Sequence, residues 1–342
     1  MNRVSRRIIL EHRPVGEPSA GDFRLVDGEV PKLEPGQFLL ANLILSMDPA
    51  IRGFLDDRPS YLPPVAIGDA VRGMVLGRVI ESENLEYPVG AVVRALAAWE
   101  ELSVLSADAL GLERVTPAAE VPLESYMGML GASGLTAWIG LHEIGKISAG
   151  QTVVISAAAG AVGNVAGQIA ALHGCRVVGL VGSAAKAARI RQIGFHEAIE
   201  YRNHPDLGAA IRTACPDGVD VYFDNVGGAT LEAMLPEMRI HGTVVVCGMV
   251  SDYNHQEAPY PVRTLWQLVV KRMTMRGFLT YEHAERIPQA QAQLDRWVQT
   301  GALRSLDNIH EGLESAPSAF IALMSGSTVG KTLVRLKSHA DH

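Results

Sequence analysis

Three glycines, Gly160, Gly163 and Gly167, have a spacing that could bind a phosphate-containing dinucleotide. They follow a short β-branched run at residues 153–156, typical of a strand buried on both faces, and they open a helical segment. Glycines in such a turn let the backbone approach a pyrophosphate, and the free N–H groups of the helix start favour the anion. A glycine-rich turn alone is a weak signal, and Ala158 takes the first glycine position of the G-x-G-x-x-G pattern. The strand before the turn and the helix and strand after it favour the dinucleotide interpretation.

The end of the next predicted strand, residues 176–181, indicates which dinucleotide is bound. An NAD-binding protein commonly has Asp or Glu there, about 20 residues beyond the glycines, to bind the ribose hydroxyl. Gly182 and Ser183 occupy that place in this chain, and Lys186 and Arg189 follow within the next two turns. Because an acid would repel a 2′-phosphate and a lysine would attract it, the sequence predicts a preference for NADP(H).

Strands and helices alternate around these residues, which is the pattern of a doubly wound parallel sheet. Residues 126–145 form a helical region before the first of these strands. The later helices are predicted at residues 184–193, 206–214, 229–238 and 284–300, and the later strands at 197–201, 219–225 and 242–247.

The first ~120 residues are instead rich in strand patterns punctuated by glycine and proline. A chain of 342 residues is long enough for two domains. We expect the last ~35 residues to return to the N-terminal domain. Strands are predicted at residues 38–45, 70–79, 89–93, 101–105 and 331–336, and a helix at 316–324.

Composition narrows the class of partner and the compartment. The net charge of −7 argues against nucleic acid as the main partner. No apolar run approaches the ~20 residues of a membrane span, and the N-terminal MNRVSRRIILEHRPVG lacks the apolar core of a signal peptide. Cys175, Cys215 and Cys247 are scattered without metal-ligand spacing, which favours a reduced, cytoplasmic location.

Several segments resemble the medium-chain dehydrogenase/reductase superfamily, and within it the zinc-independent group of prostaglandin reductase, leukotriene hydroxydehydrogenase, curcumin reductase and plant double-bond reductase. The resemblance implies a GroES-like β-barrel catalytic domain at residues 1–122, completed by 305–342, and a Rossmann NADP-binding domain at 123–304. The matching segments are MDPAIRG (47–53), GLTAW (134–138), AAAGAVGNVAGQIA (157–170), YFDNVGG (222–228), CGMVSDYN (247–254), GFL (277–279) and GKTLV (330–334).

Zinc ligands are missing where the related alcohol dehydrogenases need them. Catalytic zinc requires Cys and His ligands from separate segments, and structural zinc requires closely spaced cysteines. The first cysteine of this chain is Cys175, and the place of the usual catalytic cysteine corresponds to Met47–Asp48. We therefore expect zinc-free reduction of an activated C=C bond. Hydride adds to the β-carbon of an enone, the charge moves to the carbonyl oxygen, and that oxygen needs only hydrogen-bond donors.

The resemblance also implies roles for individual residues. The turn formed by Gly160, Ala161, Val162 and Gly163 corresponds to the pyrophosphate loop. Lys186 corresponds to the lysine that pairs with the 2′-phosphate. The other implied cofactor contacts are Ser183, Tyr201, Asn225, Cys247, Gly248, Ser251, Tyr253, Phe278, Leu279, Thr280 and Thr328.

Tyr253 is the candidate catalytic donor, because a phenol can stabilise an enolate oxygen by hydrogen bonding. The alternative is a tyrosine that binds cofactor without a chemical role. Tyr61 and Tyr260 are weaker candidates for the substrate site. Two departures from the group are Ala50, where several members have tyrosine, and Thr328, where they have asparagine.

The sequence therefore predicts an NADPH-dependent enone or enal reductase that acts on a small molecule. It predicts no nucleic-acid or membrane partner, and the chain is expected to form a homodimer. A zinc-free NADPH quinone reductase of the same superfamily is the alternative enzyme. A nucleotide-binding protein without catalytic activity is a third interpretation, disfavoured by the retained cofactor residues.

Overall fold

The computed structural model describes residues 3–58, 62–254 and 259–337. The chain divides into two compact units, one formed by residues up to Met127 with those from Asp307 onward, and the other by Gly128–Leu306. Within the described residues, no helix is both long and apolar enough to cross a bilayer.

Strands dominate the first unit, whereas strands and helices alternate in the second. The strands are β1 (Val4–Leu10), β2 (Phe23–Glu29), β3 (Gln37–Met47), β4 (Arg72–Ser82), β5 (Val92–Ala98), β6 (Leu102–Ser106), β7 (Glu113–Val115), β8 (Thr152–Ile155), β9 (Arg176–Val181), β10 (Glu197–Glu200), β11 (Val219–Asp224), β12 (Met238–Val246), β13 (Thr274–Gly277), β14 (Asp307–Glu311) and β15 (Lys331–Arg335). The helices are α1 (Ile51–Leu55), α2 (Ala132–Ile139), α3 (Ala161–Leu172), α4 (Ala184–Arg191), α5 (Leu207–Ala214), α6 (Gly228–Met234), α7 (Gln267–Val270), α8 (Ile287–Gln299) and α9 (Ala316–Met324).

The first unit is built around β3, whose residues are nearly all buried. This strand pairs antiparallel with β4, β6 and the C-terminal strand β15. The sheet has the order β14-β15-β3-β4-β5-β7, with β6 attached to β3. The C-terminal segment therefore extends a sheet that the N-terminal segment begins.

The second unit contains a parallel sheet in the order β10-β9-β8-β11-β12-β13. Counted from β8, this is the 3-2-1-4-5-6 order of a doubly wound dinucleotide-binding fold, which confirms the fold class predicted from the alternating pattern. Val153, Val154 and Ile155 of β8 are fully buried, as the β-branched run predicts for a central strand. Strand order reverses between β8 and β11, and ligands of such sheets bind beyond the carboxyl ends of the strands at this point.

Some boundaries differ from the prediction for identifiable reasons. The predicted helix at 229–238 ends at Met234, and β12 begins at Met238, which pairs with Val219 before a register shift. The predicted helix at 126–145 begins only at Ala132, because Gly131 has an extended backbone, and it ends in a π-helical turn over Gly140–Ile144.

His142 and His173 contact each other where that π-helical turn packs against the end of α3. Their Nε2 atoms are 2.9 Å apart, and each Nδ1 lies about 3 Å from a backbone carbonyl oxygen, of Trp138 and Ile169 respectively. A carbonyl can only accept, so each Nδ1 donates to the backbone and the two Nε2 atoms face each other across the contact.

Protonation of His142 is disfavoured at this contact. Burial lowers the pKa of His142 to about 4, and the charges of His173 and Arg286 act in the same direction, against smaller opposing effects of the Trp138 carbonyl and Glu143. The folded protein thus binds fewer protons than the unfolded chain between about pH 6.5 and 4.

Stability is expected to fall as the pH is lowered through this window. The contribution is fully present above about pH 6.5, and its loss by pH 5 amounts to at most about 2 kcal/mol. Thermal unfolding of the wild type and of His142→Gln at pH 7 and pH 5 measures it. The variant should lose less stability between the two pH values than the wild type. The exposed His204→Gln serves as the control and should keep the wild-type slope. A His142→Gln slope equal to that of the wild type would contradict the assignment.

Candidate functional site

A buried carboxyl lies at the point where strand order reverses. Asp224, the last residue of β11, is fully buried, and its Oδ1 accepts hydrogen bonds from the hydroxyls of Tyr222 and Ser156 at 2.8 and 3.0 Å. The same oxygen accepts from the backbone N–H groups of Val226 and Gly227, each at 3.0 Å. Burial raises the pKa of Asp224. The carboxyl thus fixes the turn that follows β11.

Asn225 is held at this turn by Ser156, the residue that follows β8. The Asn225 side-chain amide donates to the Ser156 carbonyl at 2.7 Å, and its backbone N–H donates to the Ser156 hydroxyl at 2.8 Å. The carboxyl ends of β8 and β11 are therefore joined through these two residues. Asn225 was predicted from the sequence, whereas Ser156 and Asp224 were missed, although Asp224 lies within the YFDNVGG motif and Ser156 directly precedes the glycine turn.

The glycine turn links β8 to α3, with Gly160 as the residue before the first helical turn. A Cβ on Gly163 would lie 2.4 Å from the Ala157 carbonyl oxygen, so a side chain has no room there. Ala157 has φ of 46°, a left-handed conformation that L side chains rarely adopt. Because the first intrahelical bond runs from Asn164 N–H to Gly160, the N–H groups of the preceding residues 161–163 are oriented outward, as an anion site requires.

The carboxyl end of β9 carries cationic groups. Ser183 caps α4 and accepts a hydrogen bond from the backbone N–H of Lys186 at 3.4 Å. Lys186 is half-buried, and its pKa is lowered by burial and by the neighbouring charge of Arg202. A Cβ built on Gly182 would lie 3.5 Å from the Tyr201 hydroxyl and 3.3 Å from Arg202 Nε. Arg202 reaches this strand end because β10 pairs with β9 in parallel.

The loop after β12 is bound to the turn after β11. Cys247 and Gly248 donate backbone N–H groups to the Asp224 carbonyl at 2.8 and 3.1 Å. Ser251 donates its N–H and its hydroxyl to the Val226 carbonyl at 3.1 and 2.6 Å. Burial next to Asp224 raises the pKa of Cys247 to about 12, so this thiol stays protonated at neutral pH. The loop therefore lies at the same sheet edge as Asn225.

Tyr253 closes this loop. Its hydroxyl accepts the Met249 N–H at 3.4 Å and lies near Gly248, where a Cβ would be 3.3 Å away. Burial raises the pKa of Tyr253, so the phenol remains protonated and keeps a hydrogen to donate.

The segment after β13 reaches the same edge, because Val246 and Gly277 are paired in the parallel sheet. Phe278 follows at once and lies against Gly140, where a Cβ would be 3.0 Å from its ring. Leu279 is partly exposed, and the Thr280 hydroxyl lies 3.5 Å from that of Thr136.

Other predicted residues lie elsewhere. Tyr260 is 37% exposed and lies near Gly228 at the start of α6. Arg189 is exposed and donates to Gln192 at 3.1 Å. Thr328 belongs to the first unit, and Tyr61 lies outside the described residues.

The MDPAIRG segment of the first unit forms a separate charged contact. Asp48 accepts a hydrogen bond from Ser46 and forms an ion pair with the buried Lys331 at the start of β15. This bond fixes the segment that follows β3 to the C-terminal strand.

Comparison with known proteins identifies the family. A family model described as the N-terminal domain of oxidoreductase matches residues 6–114, and one described as zinc-binding dehydrogenase matches residues 161–296. The NADPH-dependent curcumin reductase of Escherichia coli is 37% identical, with 97% of each chain covered. Prostaglandin reductase 1 of Mus musculus is 38% identical over 94% of this chain and 95% of its own.

The chain belongs to the medium-chain dehydrogenase/reductase superfamily. Within it, the chain falls in the group of curcumin, prostaglandin and alkenal reductases, as its motifs predicted. CurA from Vibrio vulnificus in complex with NADPH superimposes with a TM-score of 0.90 at 34% identity, covering 97% of this chain and 99% of that one. The fold of this reductase is thus a GroES-like domain with a Rossmann-like parallel-sheet domain. Among the described residues, no group of three or more His, Cys, Asp or Glu side chains could hold a metal ion.

Proposed function

We propose that this reductase uses NADPH to reduce the C=C bond of α,β-unsaturated ketones or aldehydes, without zinc. The observation that carries the proposal is the loop of residues 247–253, which brings a protonated phenol to the sheet edge next to Asn225. Full-length similarity to the curcumin reductase and to a tobacco 2-alkenal reductase, 35% identical over 96% of this chain, supports the substrate class.

NADPH is the proposed cofactor, and the residues at the carboxyl edge fit its parts. The N–H groups at Ala161, Val162 and Gly163 would bind the pyrophosphate, with Gly160 leaving the approach open. Ser183, Lys186 and Tyr201 would hold the 2′-phosphate. The nicotinamide side would be held by Asn225, Cys247, Gly248, Ser251, Tyr253, Phe278, Leu279 and Thr280. Thr328, in the first unit, stays a predicted cofactor contact.

The reaction needs a donor for the oxygen that becomes negative. NADPH, when bound, supplies the hydride that adds to the β-carbon. The Tyr253 hydroxyl would donate a hydrogen bond to the carbonyl oxygen as charge develops there, which its raised pKa permits without loss of the proton. The α-carbon then takes a proton from water.

Zinc independence is supported by the sequence and by the contacts of Asp48. The chain has no cysteine before Cys175, whereas catalytic zinc in the related alcohol dehydrogenases uses a cysteine near this segment. Asp48 corresponds to that segment, and its carboxylate is already bonded to Ser46 and Lys331.

A substrate panel tests the proposal. Purified protein with NADPH should consume the cofactor in the presence of small enones and enals, monitored by NADPH absorbance. Prior treatment with a chelator should leave the rate unchanged. Faster turnover of quinones than of alkenals would favour the quinone reductase alternative. Activity confined to simple ketones or alcohols would refute the proposal.

Replacing Tyr253 with phenylalanine is expected to lower kcat for an enone by about 100-fold, since a donor to the developing oxyanion is lost. The loss of NADPH affinity should be much smaller than the loss of kcat, which separates this role from cofactor binding. Tyr87→Phe is the control, because Tyr87 stacks on Phe38 in the first unit and should keep wild-type kcat. Loss of NADPH affinity with unchanged kcat would assign Tyr253 to binding alone.

We also propose that the reductase forms a homodimer through β13. Among the described strands, β13 ends the parallel sheet, so its outer edge has backbone groups left to pair. Antiparallel pairing of β13 with its own copy is self-complementary, as a two-fold interface requires. Trp266 and Val269, which are 69% and 61% exposed in and beside α7, form an apolar face just before that strand.

The oligomeric state tests this interface. Light scattering should give about twice the chain mass of 36.7 kDa for the wild type and one chain mass for Val269→Lys. Leu85→Lys, at a fully exposed position of the first unit, should leave the dimer intact. A monomeric wild type, or a dimer unaffected by Val269→Lys, would refute the proposal.

A cytoplasmic location is part of the same proposal. It is supported by the three cysteines, which are present as free thiols.

A further inference from the structure

Two cationic side chains share the carboxyl end of β9, although they come from different elements. Lys186 lies in the first turn of α4, and Arg202 lies in the short 3₁₀ turn Tyr201–Asn203 that follows β10. Because β10 pairs with β9 in parallel, with Glu200 opposite Val181, the two turns emerge side by side. Burial and the neighbouring charge of Arg202 lower the pKa of Lys186.

Gly182 makes room for the guanidinium. A Cβ at this position would lie 3.3 Å from Arg202 Nε and 3.5 Å from Arg202 Cζ. The backbone of Gly182 does not adopt a left-handed conformation, so glycine contributes space here rather than a special φ. A Cβ here would require the Arg202 side chain to shift by a few tenths of an ångström, and the branched side chain of valine would require a larger shift.

Two cationic groups at one strand end favour an anion between them. A phosphate monoester carries about −1.5 to −2 charges near neutral pH and offers three acceptor oxygens. A guanidinium can bind two such oxygens at once, and a lysine ammonium binds a third as a point charge. Two hydroxyls could also bind the phosphate. The Tyr201 hydroxyl lies 3.5 Å from the same Cβ position, and the Ser183 hydroxyl lies at the start of α4.

Arg189 provides the contrast. It lies on the same helix as Lys186, but its guanidinium donates to Gln192 near the C-terminal end of that helix. Proximity in sequence to the strand end therefore does not bring a cation to the site.

We propose that Arg202 is a second ligand of the 2′-phosphate and that it sets the preference for NADPH over NADH together with Lys186. The inference rests on the proposed use of NADPH. Arg202 would bind the phosphate from the β10 side, and Lys186 would bind it from the α4 side. Gly182 is then a specificity-determining residue as well, because it admits the guanidinium.

Calorimetric binding of four ligands to the full-length protein tests the inference. The ligands are NADPH, NADH, 2′,5′-ADP and 5′-AMP, so that the 2′-phosphate is the variable in two matched pairs. Arg202→Gln should weaken NADPH and 2′,5′-ADP by about tenfold or more, as expected for a lost bond to a charged group. NADH and 5′-AMP should change by less than about twofold, and Arg189→Gln should behave as the wild type.

Two further variants guard against a general loss of structure. Arg202→Lys keeps the charge and should recover part of the affinity for the 2′-phosphate ligands. Gly182→Val keeps Arg202 but displaces it, and should weaken the same two ligands. The inference is overturned if Arg202→Gln leaves the NADPH-to-NADH ratio at the wild-type value. A wild type that does not prefer NADPH would instead refute the proposed cofactor, so the two failures are distinguishable.

Discussion

Replacing Lys186 with alanine is expected to weaken NADPH binding by about 10- to 100-fold and NADH binding by less than about twofold. A bond between charged groups that is lost from a partly desolvated site costs about 1.5–3 kcal/mol, which corresponds to this range. Lys186 is half-buried beside Arg202, so water cannot fully replace its ammonium group. The Ser183 cap of α4 uses the Lys186 backbone N–H and survives the substitution.

Titration of intrinsic fluorescence with each cofactor measures the effect. Arg189→Ala removes a cation from the next turn of the same helix, where it bonds to Gln192, and is the matched control. Its NADPH affinity should stay within about twofold of the wild type at moderate salt. Equal losses of NADPH and NADH affinity in Lys186→Ala would show that the residue supports the fold of the site rather than the phosphate.

Replacing Gly163 with valine is expected to abolish measurable NADPH binding and to lower the stability of the second unit by about 2–4 kcal/mol. The new Cβ would lie 2.4 Å from the Ala157 carbonyl oxygen and 3.0 Å from the Ala158 Cα. Both are backbone atoms, so the clash can be relieved only by moving α3 away from the turn. That movement displaces the N–H groups proposed to bind the pyrophosphate.

Gly160→Ala is the comparison variant, because its Cβ would meet only the Ala157 oxygen, at 3.1 Å. A shift of a few tenths of an ångström relieves that contact, so thermal unfolding should change far less than in Gly163→Val. If the two variants unfold at the same temperature, the close packing of α3 on the turn is not what Gly163 provides.

The doubly wound sheet was predictable because its central strands are short, β-branched and fully buried, as at Val153–Ile155. The glycine turn was equally predictable from the sequence, and the close packing of α3 on the turn leaves no room for a side chain at Gly163. The resemblance to known reductases supplied Asn225 and the loop after β12, which no local pattern marks. Their roles remain predictions.

The parts that could not be predicted depend on contacts between distant segments. β13 is short and mostly exposed, so it lacks the hydrophobic signal of a strand and forms by pairing with β12. Asp224 has the sequence pattern of an ordinary strand-end acid, yet it is fully buried, and its Oδ1 accepts hydrogen bonds from Ser156, Tyr222 and two backbone N–H groups. The position of Arg202 follows from the register of β9 and β10, which no local sequence pattern specifies.

The left-handed backbone of Ala157 affects how easily the glycine turn binds its nucleotide. A left-handed backbone at a residue with a Cβ costs roughly 1 kcal/mol relative to glycine, which adopts it freely. Glycine would remove that cost but would also let the empty turn sample many more conformations. The methyl group of Ala157 restricts the backbone conformations of the turn even without ligand. Less conformational entropy is therefore lost when the nucleotide binds. The backbone strain at Ala157 is therefore small, and it preorganises the turn in the conformation that binds the ligand.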